Sequence, residues 1–162
     1  MRWRTLVAML VMREPREADW PAILALANRS VAGVPGAGSR DAWAESRRRF
    51  DRSAGIQRQL VAVDESTGEV VGYGALERRS GDPPDGYRLF VVTAPEQLGR
   101  IGELLYRNLV ALLRELGARS AWFAEHAADR AFLEFARTRG FREKERRKLE
   151  DGAEQAVLSL SL

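Results

Sequence analysis

Hydrophobic and polar positions along the chain follow two different periods, and the changes between them divide the sequence into predicted strands and helices. Short runs of β-branched and apolar residues indicate strands, whereas apolar residues spaced three and four apart indicate helices. The predicted order is a strand, two helices, three strands, a helix, a strand, a helix and two strands. Such an order is typical of an α/β domain built around a mixed sheet.

The first part of the chain is predicted to form a strand at residues 5–14 and then two amphipathic helices. Asp19 is placed to cap the first helix, and Ser39, after the glycine-rich segment 32–38, is placed to cap the second. We interpret that segment and the second helix as a mobile flap. The apolar stripe of the first helix comprises Trp20, Ile23, Leu24, Ala27 and Val31, and Trp43 and Phe50 share a face of the second.

The middle of the chain contains a predicted hairpin, in which strands at 59–63 and 69–76 are joined by the turn-forming sequence DESTG. A loop rich in proline and glycine, residues 78–86, leads to the next apolar run at 87–92. This run is apolar on both faces, so we expect it to be a central strand.

The last part of the chain begins with the longest helical stripe, which ends before Gly117, where a helix C-cap favours glycine. A strand is predicted at 120–125, and Asp129 is placed to cap a further helix. Residues 141–150 and 156–162 form a predicted closing hairpin around the turn-forming pair DG. The stripe of the longest helix comprises Ile101, Leu104, Leu105, Leu109, Leu112 and Leu116.

Length and composition limit the kinds of site that the chain can hold. The 162 residues suit one domain, which we expect to span 1–162, with 1–10 as an N-terminal extension if Met9 or Met12 is the natural start. There is no cysteine and only one histidine, so we expect no disulfide and no metal centre. No run approaches the roughly 18 apolar residues of a membrane span, so we expect a cytoplasmic protein without a membrane partner.

The charge of the chain leaves nucleic-acid binding open, since the net charge is +3 and the pI is about 9.8. The basic residues are spread over several short clusters rather than gathered in one block. Solvated faces of helices and strands explain such clusters more simply. We therefore expect no nucleic-acid partner.

The sequence QLGRIG, residues 97–102, lies between the predicted strand 87–92 and the longest helix. A strand that leads into a helix N-terminus leaves backbone N–H groups unpaired, and the helix dipole adds partial positive charge there. Gly99 and Gly102 allow a phosphate to approach the backbone without a Cβ in the way. The segment is neither the dinucleotide fingerprint GxGxxG nor a P-loop, so a plain strand-to-helix turn is the alternative.

Residues 87–141 together resemble the GNAT superfamily of acyl-CoA-dependent N-acetyltransferases. In that family a central strand is followed by Q/R-x-x-G-x-G/A, a long helix, another strand and N-x-x-A-x-x-F-Y-x-x-x-G-F. The first motif falls on 97–102 and the second on 129–141. The resemblance, which covers nearly the whole chain, implies a single-domain acetyltransferase-like α/β fold. Its mixed, mostly antiparallel central sheet would have six to seven strands flanked by about four helices.

The resemblance also implies that acetyl-CoA is the cosubstrate. The central strand would splay after Val92, so that its backbone binds the pantetheine arm of coenzyme A. The backbone amides from Leu98 to Gly102 would then hold the diphosphate. The cofactor-binding residues that the resemblance implies are Val92, Ala94, Gln97, Leu98, Gly99, Arg100, Gly102 and Asp129.

Three positions depart from the family pattern. Arg100 adds bulk among the phosphate-binding amides, but its guanidinium can also bind phosphate oxygens. Asp129 keeps a helix cap in place of the usual asparagine but lacks the amide donor. Ala136 replaces the tyrosine that commonly protonates the departing thiolate in this family, and water, Tyr73 or Tyr106 are the substitutes that the sequence offers.

The implied reaction requires a primary amine to lose a proton and to attack the thioester carbonyl, while backbone N–H groups stabilise the oxyanion. Glu77 and Glu125, each at the end of a predicted strand, are the acids expected to face the cleft. His126 can titrate near neutrality. Each of the three is also explained as a surface residue, so the sequence assigns no catalytic residue.

The predicted function is therefore transfer of an acetyl group from acetyl-CoA to an amine of a small molecule or a protein. The flap, where Trp43 can line an acceptor pocket, and the loop 78–86 would choose the acceptor. The alternative, suggested by the three departures, is a catalytically weak or inactive acyl-CoA-binding or regulatory domain of the same fold. A homodimer formed through the closing hairpin or an exposed strand edge is also considered, although no specific pattern supports it.

Overall fold

A computed structural model describes residues 9–162, and its helices and strands follow the predicted order. The predicted first strand, 5–14, is observed at Leu10–Arg13. Most of the possible N-terminal extension, 1–10, lies outside the described residues. The strands are β1 (Leu10–Arg13), β2 (Gly55–Asp64), β3 (Glu69–Arg79), β4 (Gly86–Thr93), β5 (Ser120–His126), β6 (Arg142–Lys148) and β7 (Glu154–Ser161). The helices are α1 (Trp20–Val31), α2 (Asp41–Arg48), α3 (Glu103–Glu115) and α4 (Arg130–Thr138).

The seven strands form one mixed sheet in the order β1-β2-β3-β4-β5-β7-β6. All neighbouring strands are antiparallel except β4 and β5, which are parallel because α3 forms the crossover between them. The expected α/β class, with a mostly antiparallel sheet and four helices, is confirmed.

Helices α3 and α4 pack on one face of the sheet and bury the larger hydrophobic core. The stripe Leu105, Leu109 and Leu113 on α3 is fully buried. Gly72 on β3 allows close approach of this helix, because a Cβ there would lie 2.8 Å from side-chain atoms of Ile101 and Leu105. The N-terminus of α3 is thereby held against the sheet beside the end of β4.

Helices α1 and α2 pack on the opposite face, where an aromatic cluster joins them to β3 and β4. The ring centroid of Trp20 lies 5.8 Å from that of Tyr73. Trp43 on α2 makes edge contacts with Tyr73 at 5.7 Å and with Phe90 at 5.9 Å. The Tyr73 hydroxyl donates to Gln59 Oε1 at 2.6 Å, so this polar group has a partner inside the fold.

One of the predicted helix caps is found in the structure. Asp129 caps α4, since its carboxylate accepts a hydrogen bond from the backbone N–H of Phe132 at 3.2 Å. The predicted N-cap at Ser39 is wrong by one position, because the N-cap residue of α2 is Arg40, but Ser39 Oγ still accepts from the backbone N–H of Asp41, the first residue of α2, at 3.2 Å. Both contacts satisfy donors that a helix N-terminus leaves free.

The predicted cap at Asp19 is wrong. Its carboxylate accepts hydrogen bonds from Arg13 at 2.6 and 3.0 Å and from the backbone N–H of Arg16 at 2.6 Å, and it makes no capping bond to α1. The hydrogen bonds from Arg13 lower the pKa of Asp19 despite its burial. This carboxylate therefore ties β1 to the turn before α1.

The helices otherwise end close to where the sequence predicts. Gly117, two residues after α3, has a φ of 70°, the left-handed conformation expected of a C-cap glycine. The second helix is shorter than predicted, because it ends at Arg48 and leaves Phe50 outside. Across residues 9–162, none of the helices combines the length and apolarity needed to span a membrane.

Candidate active site

The two parallel strands at the centre of the sheet separate part-way along their length. Gly86–Arg88 of β4 pair with Ser120–Trp122 of β5, and no further pair joins these strands in the described chain. Residues 89–93 therefore face residues 123–126 across a gap. The gap is a groove with a cavity volume of about 90 Å³, partly open to solvent and mostly apolar, to whose walls α1, Trp43 of α2 and α4 contribute.

The chain from β4 to α3 forms two tight turns at one end of this groove. A 3₁₀ turn at Pro95–Gln97 is followed by a π-helical turn at Leu98–Gly102, a geometry that recurs at functional sites. Gly99, Arg100 and Ile101 lie in the first turn of the helical run that continues into α3, where a helix leaves backbone N–H groups without intrahelical acceptors. The positive end of the α3 dipole lies at the same place, so the turn suits an anion.

The two glycines of the π-helical turn have different surroundings. A Cβ added to Gly99 would meet no atom within 4 Å, so the turn has open space there for a ligand. A Cβ on Gly102 would lie 3.0 Å from Leu98 Cδ1 and 3.5 Å from the ring of Phe135, so this glycine allows close packing behind the turn. The amides of this first helical turn and the exposed position of Gly99 suit a diphosphate group.

Arg100 is exposed, and in the described part of the chain its side chain makes no hydrogen bond or ion pair. Hydrogen bonds from Ser66 are the main cause that lowers the pKa of Asp64, and the positive charge of Arg100 adds to the same effect. Arg100 therefore lies within electrostatic reach of the turn between β2 and β3. Its side chain carries only donors, so it adds positive charge beside the first-turn amides without accepting their hydrogens.

Three charged side chains line the groove among the described residues: Arg40, Glu125 and Asp129. Arg40 Nη2 donates to Glu125 Oε1 at 3.3 Å, and the same oxygen accepts from the backbone N–H of His126 at 2.8 Å. Burial raises the pKa of Glu125, and the nearby Arg40 only partly offsets this. Burial likewise raises the pKa of Asp129. The groove thus combines an apolar wall with carboxyl groups poised to exchange protons.

The family model described as "Acetyltransferase (GNAT) family" matches residues 20–141, which include both the π-helical turn and the splayed strands. The chain belongs to the GNAT family. No curated protein sequence shows a significant match to it.

Three solved structures show how closely other proteins share the fold of this chain. A ribosomal-protein-alanine N-acetyltransferase from Brucella melitensis is 26% identical, with a TM-score of 0.69 over 94% of this chain and 99% of that one. The ribosomal-protein-S18-alanine N-acetyltransferase from Escherichia coli is 17% identical, with a TM-score of 0.70 over 94% of each chain. The acetyltransferase yncA from Salmonella typhimurium, solved with its cofactor acetyl-CoA, is 20% identical, with a TM-score of 0.68 over 94% of each chain.

Most residues that the GNAT resemblance assigns to the cofactor lie along one path through the structure. Val92, Leu98 and Asp129 line the groove, and Ala94 is buried at the end of β4. The remaining residues, Gln97, Gly99, Arg100 and Gly102, lie in the two turns before α3.

The expectation that Glu77 faces the cleft is wrong. Glu77 is fully buried on the α1–α2 face of the sheet, where Arg47 donates to both carboxylate oxygens at 2.7 and 3.0 Å. Gln57 Nε2 donates to the same carboxylate at 3.0 Å. Strand parity explains the difference, since alternate residues point to opposite faces and Glu77 shares a face with Tyr73 and Ala75. Of the two expected acids, only Glu125 lines the groove.

The two tyrosines considered as replacements for the missing GNAT tyrosine do not line the groove. The Tyr73 hydroxyl donates to Gln59, and the Tyr106 hydroxyl donates to the backbone carbonyl of Arg139 at 3.3 Å. Burial raises the pKa of both phenols. Neither tyrosine is placed to protonate a leaving group in the groove, which leaves water for that task.

A fourth departure from the GNAT pattern lies at position 132, where the motif has alanine and this chain has Phe132. The Phe132 ring lines the groove and packs edge-on against Phe123, with ring centroids 5.1 Å apart. Ala136, where the pattern has tyrosine, lies on the buried face of α4. A large apolar residue thus faces the groove where the family has a small one, a change that the quoted motif could have revealed.

Arg40 is the groove residue that the sequence did not reveal. It immediately precedes α2, and the side chain that it contacts, Glu125, lies 85 positions away in sequence. No local pattern distinguishes it from the many exposed arginines of the chain. Trp43, predicted to line an acceptor pocket, does line the groove.

Proposed function

We propose that this chain is an N-acetyltransferase that moves an acetyl group from acetyl-CoA to the amine of a small molecule or a protein. The observation that carries this proposal is the splayed groove between β4 and β5, which ends at a π-helical turn at the N-terminus of α3. The groove offers an extended apolar path, and the turn offers an anion site at its end. An acyl thioester attached to a diphosphate has that same division into an apolar arm and a charged end.

The GNAT family match, together with relatives solved with acetyl-CoA or coenzyme A, supports acetyl-CoA as the cosubstrate. When bound, it supplies the activated acetyl thioester. In our proposal the unpaired edge of β4 around Val92 and Ala94 holds its arm, and the amides from Leu98 to Gly102 hold its diphosphate. Arg100 adds positive charge to this site, while Asp129 caps α4 at the groove.

Glu125 is the residue that we propose to take the proton from the acceptor amine. Its Oε1 already accepts two hydrogen bonds, whereas Oε2 accepts none from the described residues. Burial raises the pKa of this carboxyl, which strengthens it as a base once it is ionised. A base in the groove is needed because a primary amine is mostly protonated at neutral pH.

The departing thiolate needs no side-chain acid in this proposal. A thiol with a pKa near about 8.5 is a tolerable leaving group at neutral pH, so water can supply the proton with some loss of rate. Ala136 in place of the family's tyrosine therefore predicts a slower enzyme rather than an inactive one.

The second candidate is a coenzyme A-binding domain of the same fold with little or no turnover. Two residues of α4 favour this alternative. Phe132 reduces the space in the groove, and Ala136, which is buried, provides no proton donor. The open volume of the groove argues against complete occlusion.

Release of free thiol from acetyl-CoA, measured with a panel of amines, distinguishes the two candidates. If the protein is an N-acetyltransferase, we expect thiol release that depends on the amine and that falls when Glu125 is replaced by glutamine. The binding domain predicts acetyl-CoA binding in calorimetry without any amine-dependent release. A chain that does neither contradicts both.

A further inference from the structure

The groove carries an uneven set of charges for an enzyme that accepts simple amines. Its charged lining in the described chain consists of two carboxylates, Glu125 and Asp129, and one guanidinium, Arg40. An acceptor ammonium is attracted by the carboxylates but repelled by the arginine beside them. A cation in this position is therefore unexplained by amine recognition alone.

The position of Arg40 is fixed by hydrogen bonds, but only part of its hydrogen-bonding capacity is taken up. The backbone N–H of Arg40 donates to Asn28 Oδ1 at 2.8 Å, which fixes the end of the flap to α1. The side chain is 23% exposed, and among the described residues its one contact is the 3.3 Å hydrogen bond to Glu125. A guanidinium carries several further N–H donors in a planar fork, so most of them remain free toward the groove.

Glu125 likewise has hydrogen-bonding capacity that the fold does not take up. One carboxylate oxygen accepts from Arg40 and from the backbone of His126, and the other has no partner in the described chain. The unbonded N–H donors of Arg40 thus lie next to the unbonded oxygen of Glu125. The two side chains are joined by the bond of 3.3 Å between Arg40 Nη2 and Glu125 Oε1. A ligand with an amine and an anionic group on neighbouring carbons can contact both at once.

We infer that Arg40 selects the acceptor, and that the acceptor is a small zwitterion of the amino-acid class. This inference rests on the proposed acetyl transfer. The amine of the amino acid donates to Glu125 Oε2, and its carboxylate accepts from the free donors of Arg40. The reaction forms the amide C–N bond, breaks the thioester C–S bond and transfers one amine proton, in net, to the departing thiolate. A lysine side chain or a peptide N-terminus has no adjacent carboxylate. With such an acceptor, the remaining N–H donors of Arg40 would have no carboxylate to bind.

The test compares L-amino acids with their α-carboxamides as acceptors at saturating acetyl-CoA. We expect kcat/KM for the best acid to exceed that for its amide by roughly 10- to 100-fold, the range for charge-assisted hydrogen bonds to one guanidinium. The amine of the amide is the less basic one and is more often unprotonated. Intrinsic amine reactivity would therefore favour the amide, and a preference for the acid must come from the carboxylate contact.

Three variants sharpen the comparison. In Arg40→Gln we expect the ratio of acid to amide to fall to one or below, mainly through a higher KM for the acid. In Arg40→Lys, which keeps the charge but loses the fork, we expect an intermediate ratio. Arg49→Ala removes an exposed arginine just after α2, outside the groove, and is expected to leave the ratio unchanged.

Several outcomes would overturn the selection of amino acids by Arg40. A wild-type protein that acetylates amides, peptide N-termini or polyamines as well as amino acids contradicts the inference but leaves the proposed acetyl transfer standing. An acid preference that survives Arg40→Gln also contradicts it. If no acceptor in the panel is acetylated, the inference fails, and calorimetry with acetyl-CoA then shows separately whether the cofactor site exists.

Discussion

Two arginine–glutamate pairs have their arginines at opposite ends of α2, and the two pairs differ in burial and in hydrogen bonding. Arg47 and Glu77 are buried and make two hydrogen bonds of 2.7 and 3.0 Å, with the Arg47 guanidinium 4.4 Å from the centroid of the Phe90 ring. Arg40 and Glu125 share a single bond of 3.3 Å at the edge of a groove. In the first pair both carboxylate oxygens accept hydrogen bonds within the fold, whereas in the second one carboxylate oxygen has no partner among the described residues.

This contrast explains why we propose a role in catalysis for only one pair. A buried carboxylate with both oxygens bonded resists ligand binding, because any ligand would have to break good hydrogen bonds in a low dielectric. A carboxylate with one free oxygen beside a groove has capacity left for a ligand. The same two residue types therefore anchor α2 to the sheet in one place and line the groove in the other.

The largest expected effect is on stability, and it concerns the buried pair. Glu77→Ala leaves Arg47 buried without its partner, so we expect the free energy of unfolding to fall by about 3–5 kcal/mol. Urea unfolding followed by circular dichroism measures the change. As the matched control, Glu125→Ala should change the free energy by less than about 1 kcal/mol, and equal losses in the two variants would contradict the contrast.

The next effect is on catalysis, and it concerns the groove pair. Glu125→Gln keeps the shape of the side chain but removes the base, so we expect kcat to fall by roughly 10²- to 10⁴-fold. Steady-state thiol release measures it, with unfolding midpoints to show that the fold is intact. A variant that keeps wild-type kcat would exclude Glu125 as the proton acceptor.

The pH dependence of stability provides a smaller effect with a definite sign. Burial raises the pKa of Glu125 in the folded protein, so its stabilising contribution is present below the unfolded pKa of about 4.3 and is lost as the pH rises through the higher folded pKa. Glu125→Gln removes this titration. We therefore expect the variant to gain stability relative to wild type as the pH rises from about 4 to about 7. Urea unfolding at several pH values measures the difference, and parallel curves would refute it.

The smallest expected effect is that of Arg40 on stability. Its single exposed contact predicts that Arg40→Gln changes the free energy of unfolding by no more than about 0.5 kcal/mol. Thermal unfolding of wild type and variant checks this. A loss comparable to that in Glu77→Ala would mean that Arg40 is a structural residue, and its proposed role toward the acceptor would lose its basis.

The sequence predicts the order of elements because periodicity and turn residues act locally. The hairpin around DESTG, the cap at Asp129 and the glycine turn before α3 all depend on neighbours within a few positions. The predicted cap at Asp19 is wrong because Arg13 competes for the same carboxylate. Local propensity is overridden where a tertiary contact is stronger.

The candidate site is predicted only in part, for a related reason. The turn that we propose to hold the diphosphate lies in one continuous segment, residues 97–102, and so a motif can indicate it. The pairing of Arg40 with Glu125, and of Arg47 with Glu77, joins residues that lie 85 and 30 positions apart. Which face of β3 carries Glu77 depends on register, and a shift of one residue reverses it.

Calorimetric titration with acetyl-CoA tests the central claim most directly, namely that the turn before α3 holds a diphosphate. Gly99→Leu places a side chain into open space without a positive φ, so it should fold normally yet block the amides. Gly33→Leu, whose Cβ also meets nothing within 4 Å, is the matched control. We predict saturable binding to wild type and to Gly33→Leu, and affinity at least about tenfold weaker in Gly99→Leu, because hydrogen bonds to a charged group are lost. No binding to wild type at millimolar acetyl-CoA, or equal affinity in all three proteins, would contradict the account.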